Sequence, residues 1–268
     1  MEEFLSRTHE LAYMFQYLSD TDLVALSKVY PRLRHNEYLW TNRHFNTTGR
    51  ILKLHPDLTW QDSYFYALMN LPDHSYVLYI TGNLRLFQYL KFHDKLFPTV
   101  HKANLLAKHG HIDVLKYFEQ LDSKIRPNRF GANMAAEHGR LNVLKYLEQL
   151  NPSVRPDNEG ANLAATHGHL HVLKYLHPKV RPSIYGASLA ARHGHLHILQ
   201  YLEQLDPKIR PDSVGANWAA QYGHLHVLKY LGQLDPKILP DNEGASLAAQ
   251  YEHFDVLEYL EQFGIFPQ

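Results

Sequence analysis

The stretch GANLAATHGHLHVLKYL, residues 160–176, contains the two features that decide the fold. An alanine-rich segment runs to Gly168, and an apolar segment with the pattern L-x-V-L-x-Y-L follows it. Glycine readily adopts the left-handed backbone conformation that ends many helices, and the spacing of the later apolar residues is typical of another helix. The stretch therefore predicts two short helices joined by a tight turn.

The same pattern recurs along most of the chain. A marker proline precedes each copy, and successive markers are 29 residues apart except for one spacing of 26: Pro98, Pro127, Pro156, Pro182, Pro211 and Pro240. The short copy lacks three residues after Leu176. With a weaker copy before Pro98, the sequence predicts about seven repeats, at residues 71–97, 98–126, 127–155, 156–181, 182–210, 211–239 and 240–268.

One such repeat cannot bury its own apolar side chains, whereas a stack of repeats can, so we expect an all-α repeat solenoid. The pattern G-A-x-L-A-A-x-x-G-H-L-x-V-L-K-Y-L resembles the ankyrin repeat over roughly residues 71–268. The repeats are shorter than the usual length of about 33 residues and lack the T-P-L-H signature. The resemblance therefore implies a shortened or irregular β-hairpin, and the compact form is similar to arrays encoded by giant DNA viruses of amoebae.

Three histidines within five residues, at 167, 169 and 171, raise the question of a metal site. Another repeat holds Arg140 and Asn142 at two of these positions, and no carboxylate or thiolate recurs at ligand spacing. The ankyrin resemblance implies instead that the histidine after the glycine bonds a backbone group in the turn. A pH-responsive row of imidazoles is the alternative, and we expect no metal and no cofactor.

Residues 4–45 lack the repeat and resemble an F-box, a three-helix module. The matches follow its order: Glu10-Leu11, Phe15 to Leu18, Asp22-Leu23, Leu26 to Val29, Arg32 and Leu39-Trp40. Ser6-Arg7 stand where an F-box opens with Leu-Pro. The resemblance implies a surface for a Skp-family adaptor, formed by Leu11, Phe15, Leu18, Leu23, Leu26 and Trp40.

The domain prediction is accordingly an F-box-like helical module at 1–45, a helical junction at 46–70 and the repeats at 71–268. The alternative for the first segment is a helical cap that covers the end of the array.

Composition limits the classes of partner and of chemistry. The chain has 27 basic and 27 acidic residues, no cysteine and no long apolar run. These features exclude disulfides, thiolate zinc sites and a broad positive field. We therefore expect a cytoplasmic monomer, in the host cytoplasm if viral, that binds neither membrane nor nucleic acid. A basic row before the marker prolines is the opposing observation, although Leu239 interrupts it: Arg126, Arg155, Arg181 and Arg210.

The chain has neither a phosphate-binding glycine loop nor a G-x-S-x-G motif, so we expect no enzyme. Positions that vary between repeats instead predict a target-binding surface, because chemical variety on a constant frame is typical of repeat proteins that bind other proteins. Its predicted residues are Lys108, Arg129, Phe130, Glu137, Glu159, Ile184, Tyr185, Arg192, Val214 and Gln221.

By resemblance, the predicted function is an adaptor that recruits a target protein to a Skp–cullin-type ubiquitin ligase. The alternative is an ankyrin-repeat binding scaffold whose N-terminal helices only cap the array.

Overall fold

The computed structural model describes Tyr79, residues 82–92 and residues 96–268. Within these ranges the predicted all-α repeat fold is confirmed, with thirteen helices and no strand. The predictions for residues 1–45 and 46–70, and for the six adaptor-binding residues, lie outside the described residues. The chain divides into two compact units, residues 1–126 and 127–268.

The helices alternate between a first and a second helix of each repeat. The first helices are α2 (Val100–His109), α4 (Arg129–Glu137), α6 (Asn158–Thr166), α8 (Ile184–Arg192), α10 (Ser213–Gln221) and α12 (Asn242–Gln250). The second helices are α1 (Leu84–Phe92), α3 (Ile112–Leu121), α5 (Leu141–Leu150), α7 (Leu170–Leu176), α9 (Leu196–Leu205), α11 (Leu225–Leu231) and α13 (Phe254–Glu261).

Local sequence explains where the first helices begin and end. Asp157, Asp212 and Asp241 each accept a hydrogen bond from a backbone N–H of the first turn of α6, α10 and α12, as N-capping residues do. At the other end, Gly139 and Gly168 have φ values of 67° and 72°, in the left-handed region predicted for them. The turn into the second helix is therefore encoded within each repeat.

Small residues allow the first helices of the second unit to pack side by side. Ala135 and Ala136 of α4 are fully buried, as are the equivalent pairs of α6, α8 and α10. The second helices bury larger residues against them, for example Val143, Leu144 and Leu147 of α5. Each first helix contacts the next first helix and its own second helix, so the core is shared between neighbouring repeats.

In α4, α6, α8 and α10, a polar residue is hydrogen-bonded to the N-cap residue of the next first helix. The backbone N–H of Asp157 donates to Oδ1 of Asn133 (3.1 Å), and Asn133 Nδ2 donates back to Asp157 Oδ1 (2.9 Å). Equivalent bonds recur in each following repeat. We refer to these four contacts as the cap pairs: Asn133–Asp157, Asn162–Ser183, Ser188–Asp212 and Asn217–Asp241.

The cap pairs also explain one glycine in the G-A-N and G-A-S blocks. A Cβ atom on Gly160 would lie 2.4 Å from Oδ1 of Asn133, which is closer than side-chain atoms approach. The same holds for Gly244 and Asn217, again at 2.4 Å. Glycine is therefore needed where the next helix passes the Asn side chain.

The histidines of the H-L-H motif bond the backbone of the preceding repeat. Nε2 of His171, His197 and His226 lies 3.0–3.1 Å from the carbonyl oxygens of Gly139, Gly168 and Gly194. A carbonyl only accepts, so each Nε2 carries the donated proton. The histidine two positions earlier in each repeat is hydrogen-bonded to the last backbone carbonyl of a first helix. These bonds join His169 to Glu137, His195 to Thr166 and His224 to Arg192. These imidazoles satisfy helix C-termini across a repeat boundary.

The described part of the first unit consists of α1, α2 and α3. Phe87 of α1 packs edge-on against Phe118 of α3, with ring centroids 5.5 Å apart, and both side chains are fully buried. Tyr79 contacts the other edge of Phe87 at 5.6 Å. Burial raises the pKa of the Tyr79 hydroxyl well above its usual range, as expected for a phenol in this aromatic cluster.

Candidate interaction surface

The first residues of the first helices in the second unit are exposed, and several are apolar. Phe130 is 59% exposed, Tyr185 60%, Ile184 49% and Val214 47%. These helices pack side by side, so their starts form a row along one edge of the unit. Exposed aromatic side chains on a rigid frame are typical anchors of protein interfaces.

The ends of the same helices form a second row, where side chains of neighbouring repeats touch. The guanidinium of Arg192 lies 5.1 Å from the ring centroid of Tyr222 and 5.7 Å from that of Trp218, and it donates a hydrogen bond to the Tyr222 hydroxyl (2.9 Å). This arrangement fixes a cation above two aromatic faces. The guanidinium of the half-buried Arg192 is therefore held in place by its two aromatic neighbours.

Earlier in the row, the ends carry histidines and a carboxylate. The ring of His167 lies 6.5 Å from those of His138 and His193. Oε1 of Glu137 lies 3.7 Å from Nε2 of His167, and Oε2 lies 3.8 Å from Nδ1 of His138. We refer to the exposed starts and ends of α4, α6, α8, α10 and α12 as the first-helix surface.

Nine of the ten predicted target-binding residues lie on this surface. The exposed starts hold Arg129, Phe130, Glu159, Ile184, Tyr185 and Val214, and the half-buried ends hold Glu137, Arg192 and Gln221. Lys108 lies in the last turn of α2, which belongs to the first unit. Their role in binding a target stays a prediction.

Comparison of the repeats did not identify the residue that directly follows each first helix as part of this surface. Trp218 and Tyr222 contact Arg192, and Tyr222 and Tyr251 are 43% and 51% exposed. The spacing of Val214, Trp218 and Tyr222 was the available signal, because residues four apart share one face of a helix.

The arginines before the marker prolines are bonded within the chain. Arg126 pairs with Glu119 at 2.8 Å and Arg210 with Glu203 at 2.6 Å. Arg155 donates to the carbonyl of Pro152 from both Nε (2.9 Å) and Nη2 (2.6 Å). These bonds stabilise the loops between repeats.

Two further features of the described ranges bear on other functions. In these ranges, no three His, Asp or Glu side chains come close enough to hold a metal ion. Among the helices described above, none is long and apolar enough to cross a membrane.

No protein-family model and no curated protein matches the chain. Two solved structures are similar to it: the pentatricopeptide repeat protein PPR10 in complex with an 18-nt psaJ RNA element, and a cysteine-to-serine variant of that protein with the same RNA. In both cases the identity is 13%, the TM-score is 0.32, and the match covers all of this chain but 46% of the other. The chain thus spans about half the length of these proteins.

Both similar structures are complexes with RNA, which conflicts with our expectation that nucleic acid is excluded as a partner. The prediction that the chain does not bind nucleic acid is therefore wrong. The Skp-family adaptor and the cullin ligase that were also predicted as partners find no support among these matches.

Proposed function

We propose that the chain is an ankyrin-like binding scaffold that holds a partner protein on the first-helix surface. The observation that carries the proposal is the cluster of Arg192 over Trp218 and Tyr222, together with the exposed Tyr185 at the other end of α8. Aromatic side chains and arginine dominate the binding energy of protein interfaces. A segment with apolar side chains and a carboxylate would complement this cluster.

The constancy of the frame supports the same proposal. The alanines beneath the first-helix surface and the cap pairs between its helices recur in successive repeats, whereas the exposed starts change from Phe130 to Glu159 to Tyr185. A surface that changes on a constant core can acquire specificity without loss of stability. The scaffold itself supplies affinity and position, and needs no reacting group.

Affinity capture with the full chain tests the proposal. A variant with alanine at Arg129, Phe130, Tyr185 and Arg192 should lose the captured protein, because each such anchor contributes on the order of 2 kcal/mol to binding. A matched variant carries alanine at exposed second-helix positions, namely Lys145, Lys174, Gln200 and Lys229, and should capture it normally. Both should keep the helicity and melting temperature of the parent.

Two outcomes contradict the proposal. In one, the first-helix variant captures the protein as well as the parent does. In the other, nuclease treatment releases everything that the parent captures, which would assign the surface to nucleic acid rather than to protein.

A further inference from the structure

The repeat that lacks three residues contains a cavity of about 220 Å³ between the second helices α5 and α7. Its wall includes Tyr175, Leu176, His177, Lys179 and Val180, the residues around the deletion. In the next repeat, Glu203, Gln204 and Leu205 occupy the positions that are missing here. The cavity therefore lies beside the site of the deletion, which directly follows α7.

Two cations and one carboxylate line the polar side of the cavity. Glu148 accepts hydrogen bonds from Lys179 Nζ (2.9 Å) and from the Tyr175 hydroxyl. These bonds hold the pKa of Glu148 below its ordinary value, and burial with the same bond raises the pKa of Tyr175 to about 12. Glu148 is thus already satisfied, and the polar side keeps a net positive charge from Arg155 and Lys179.

Hydrogen-bond donors remain at this polar side. Arg155 uses Nε and Nη2 for the carbonyl of Pro152, and Nη1 has no hydrogen bond within the described residues. Nδ1 of His177 is shielded from solvent and likewise has no partner there. Because solvent does not reach this nitrogen, a molecule in the cavity does not reach it either, and the donors available to such a molecule are those of Arg155 and Lys179.

The remaining lining residues of the cavity are apolar. They are Leu144, Pro156, Leu176 and Val180. An apolar cavity of roughly 150 Å³ is large enough for benzene, so this one can hold a single ring with a small substituent.

We propose that this cavity is a binding site for a small aromatic carboxylate. The ring would pack against Leu144, Leu176 and Val180. The carboxylate would accept hydrogen bonds from Arg155 and Lys179, since charged donors bind carboxylates best. The site lies on the second helices and is independent of the proposed partner surface.

Benzoate is the probe for this site, with benzamide and benzylamine as its neutral and cationic counterparts. Calorimetric titration of the full chain should show saturable binding of benzoate and at least tenfold weaker binding of the other two. Lys179→Gln should weaken benzoate binding by about tenfold, because a hydrogen bond to a charged group is lost. Lys208→Gln changes the equivalent lysine of the next repeat and should leave the affinity unchanged.

A second variant removes the cavity without removing its charges. Insertion of Glu-Gln-Leu after Leu176 restores the 29-residue repeat and should abolish benzoate binding while circular dichroism and melting stay close to those of the parent. Equal binding of benzoate and benzamide overturns the proposal, as does undiminished binding by Lys179→Gln. Retained affinity in a folded insertion variant also overturns it.

Discussion

Asn133 and Asp157 hold each other across a repeat boundary by two hydrogen bonds, one from the Asn133 amide and one to its oxygen. Asn217 and Asp241 do the same three repeats later. We expect Asn133→Ala and Asn217→Ala each to lower the free energy of unfolding by about 1–3 kcal/mol, because a half-buried donor loses its acceptor. Urea unfolding of the full chain measures this loss.

Two matched variants separate the cap pair from a general effect of removing asparagine. Asn133→Ser should lose less, since Ser188 forms the same contact at the equivalent position. Asn158→Ala changes an exposed residue at the start of α6 and should lose little. Equal losses for Asn133→Ala and Asn158→Ala would show that the cap pair contributes nothing.

Glu252 occupies the position after the first helix that glycine holds in the preceding repeats, and its φ is 59°. A residue with a Cβ atom is strained in this left-handed conformation by roughly 1–2 kcal/mol. Glu252→Gly should therefore stabilise the protein by about 0.5–1 kcal/mol, after the larger chain entropy of glycine in the unfolded state is subtracted. Thermal unfolding gives the sign directly.

The control for this variant is Glu258→Gly, at an exposed position inside α13. Glycine in a helix interior costs about 1 kcal/mol, so this change should destabilise. Destabilisation by both variants would contradict the strain assigned to Glu252.

Burial lowers the pKa of His169, His195 and His224 below the ordinary value of 6.5, and neighbouring imidazoles lower it further. These neighbours are His171, His167 and His138 for His169, then His197, His193 and His167 for His195, and His226, His193 and His253 for His224. The unfolded chain therefore takes up protons at a higher pH than the folded one.

Stability should be complete above about pH 6.5 and should fall as the pH decreases through the lower folded-state pKa values. Urea unfolding between about pH 7.5 and pH 5 measures this slope. His195→Asn should make it shallower, whereas His101→Asn, at an exposed residue of α2, should not. A pH-independent free energy of unfolding would contradict the prediction.

A chelator should leave the melting temperature unchanged. His171, His197 and His226 donate their Nε2 protons to backbone carbonyls, so these nitrogens offer no lone pair to a metal. Differential scanning calorimetry with and without EDTA tests this. A fall of many degrees that zinc reverses would establish a structural metal site.

Features with a local cause could be predicted from the sequence. Gly168 ends a helix because of its own backbone freedom, and Asp157 caps one because its carboxylate reaches N–H groups two and three residues ahead. Each cause lies within a few residues of its effect. The repeat period then multiplies these local signals along the chain.

Features that depend on two repeats could not be predicted in the same way. Asn133 was recognisable only as part of a G-A-N marker, since the residue it binds is 24 positions away. Arg192 was expected on the surface, but its aromatic partners Trp218 and Tyr222 belong to the next repeat. Likewise, the deletion after Leu176 is visible in the sequence, whereas the cavity beside it depends on side chains of α5.

Each complete repeat contains both members of a cap pair, an Asn or Ser in its first helix and a capping residue before it. A gene duplication that inserts one repeat therefore leaves every amide facing a cap and every cap facing an amide or hydroxyl. Loss of a repeat has the same outcome, because the repeats on either side can bond each other. The array can thus change in length during evolution without leaving a polar group unpaired at the junction. Each added repeat also contributes a new pair of side chains on which selection can act.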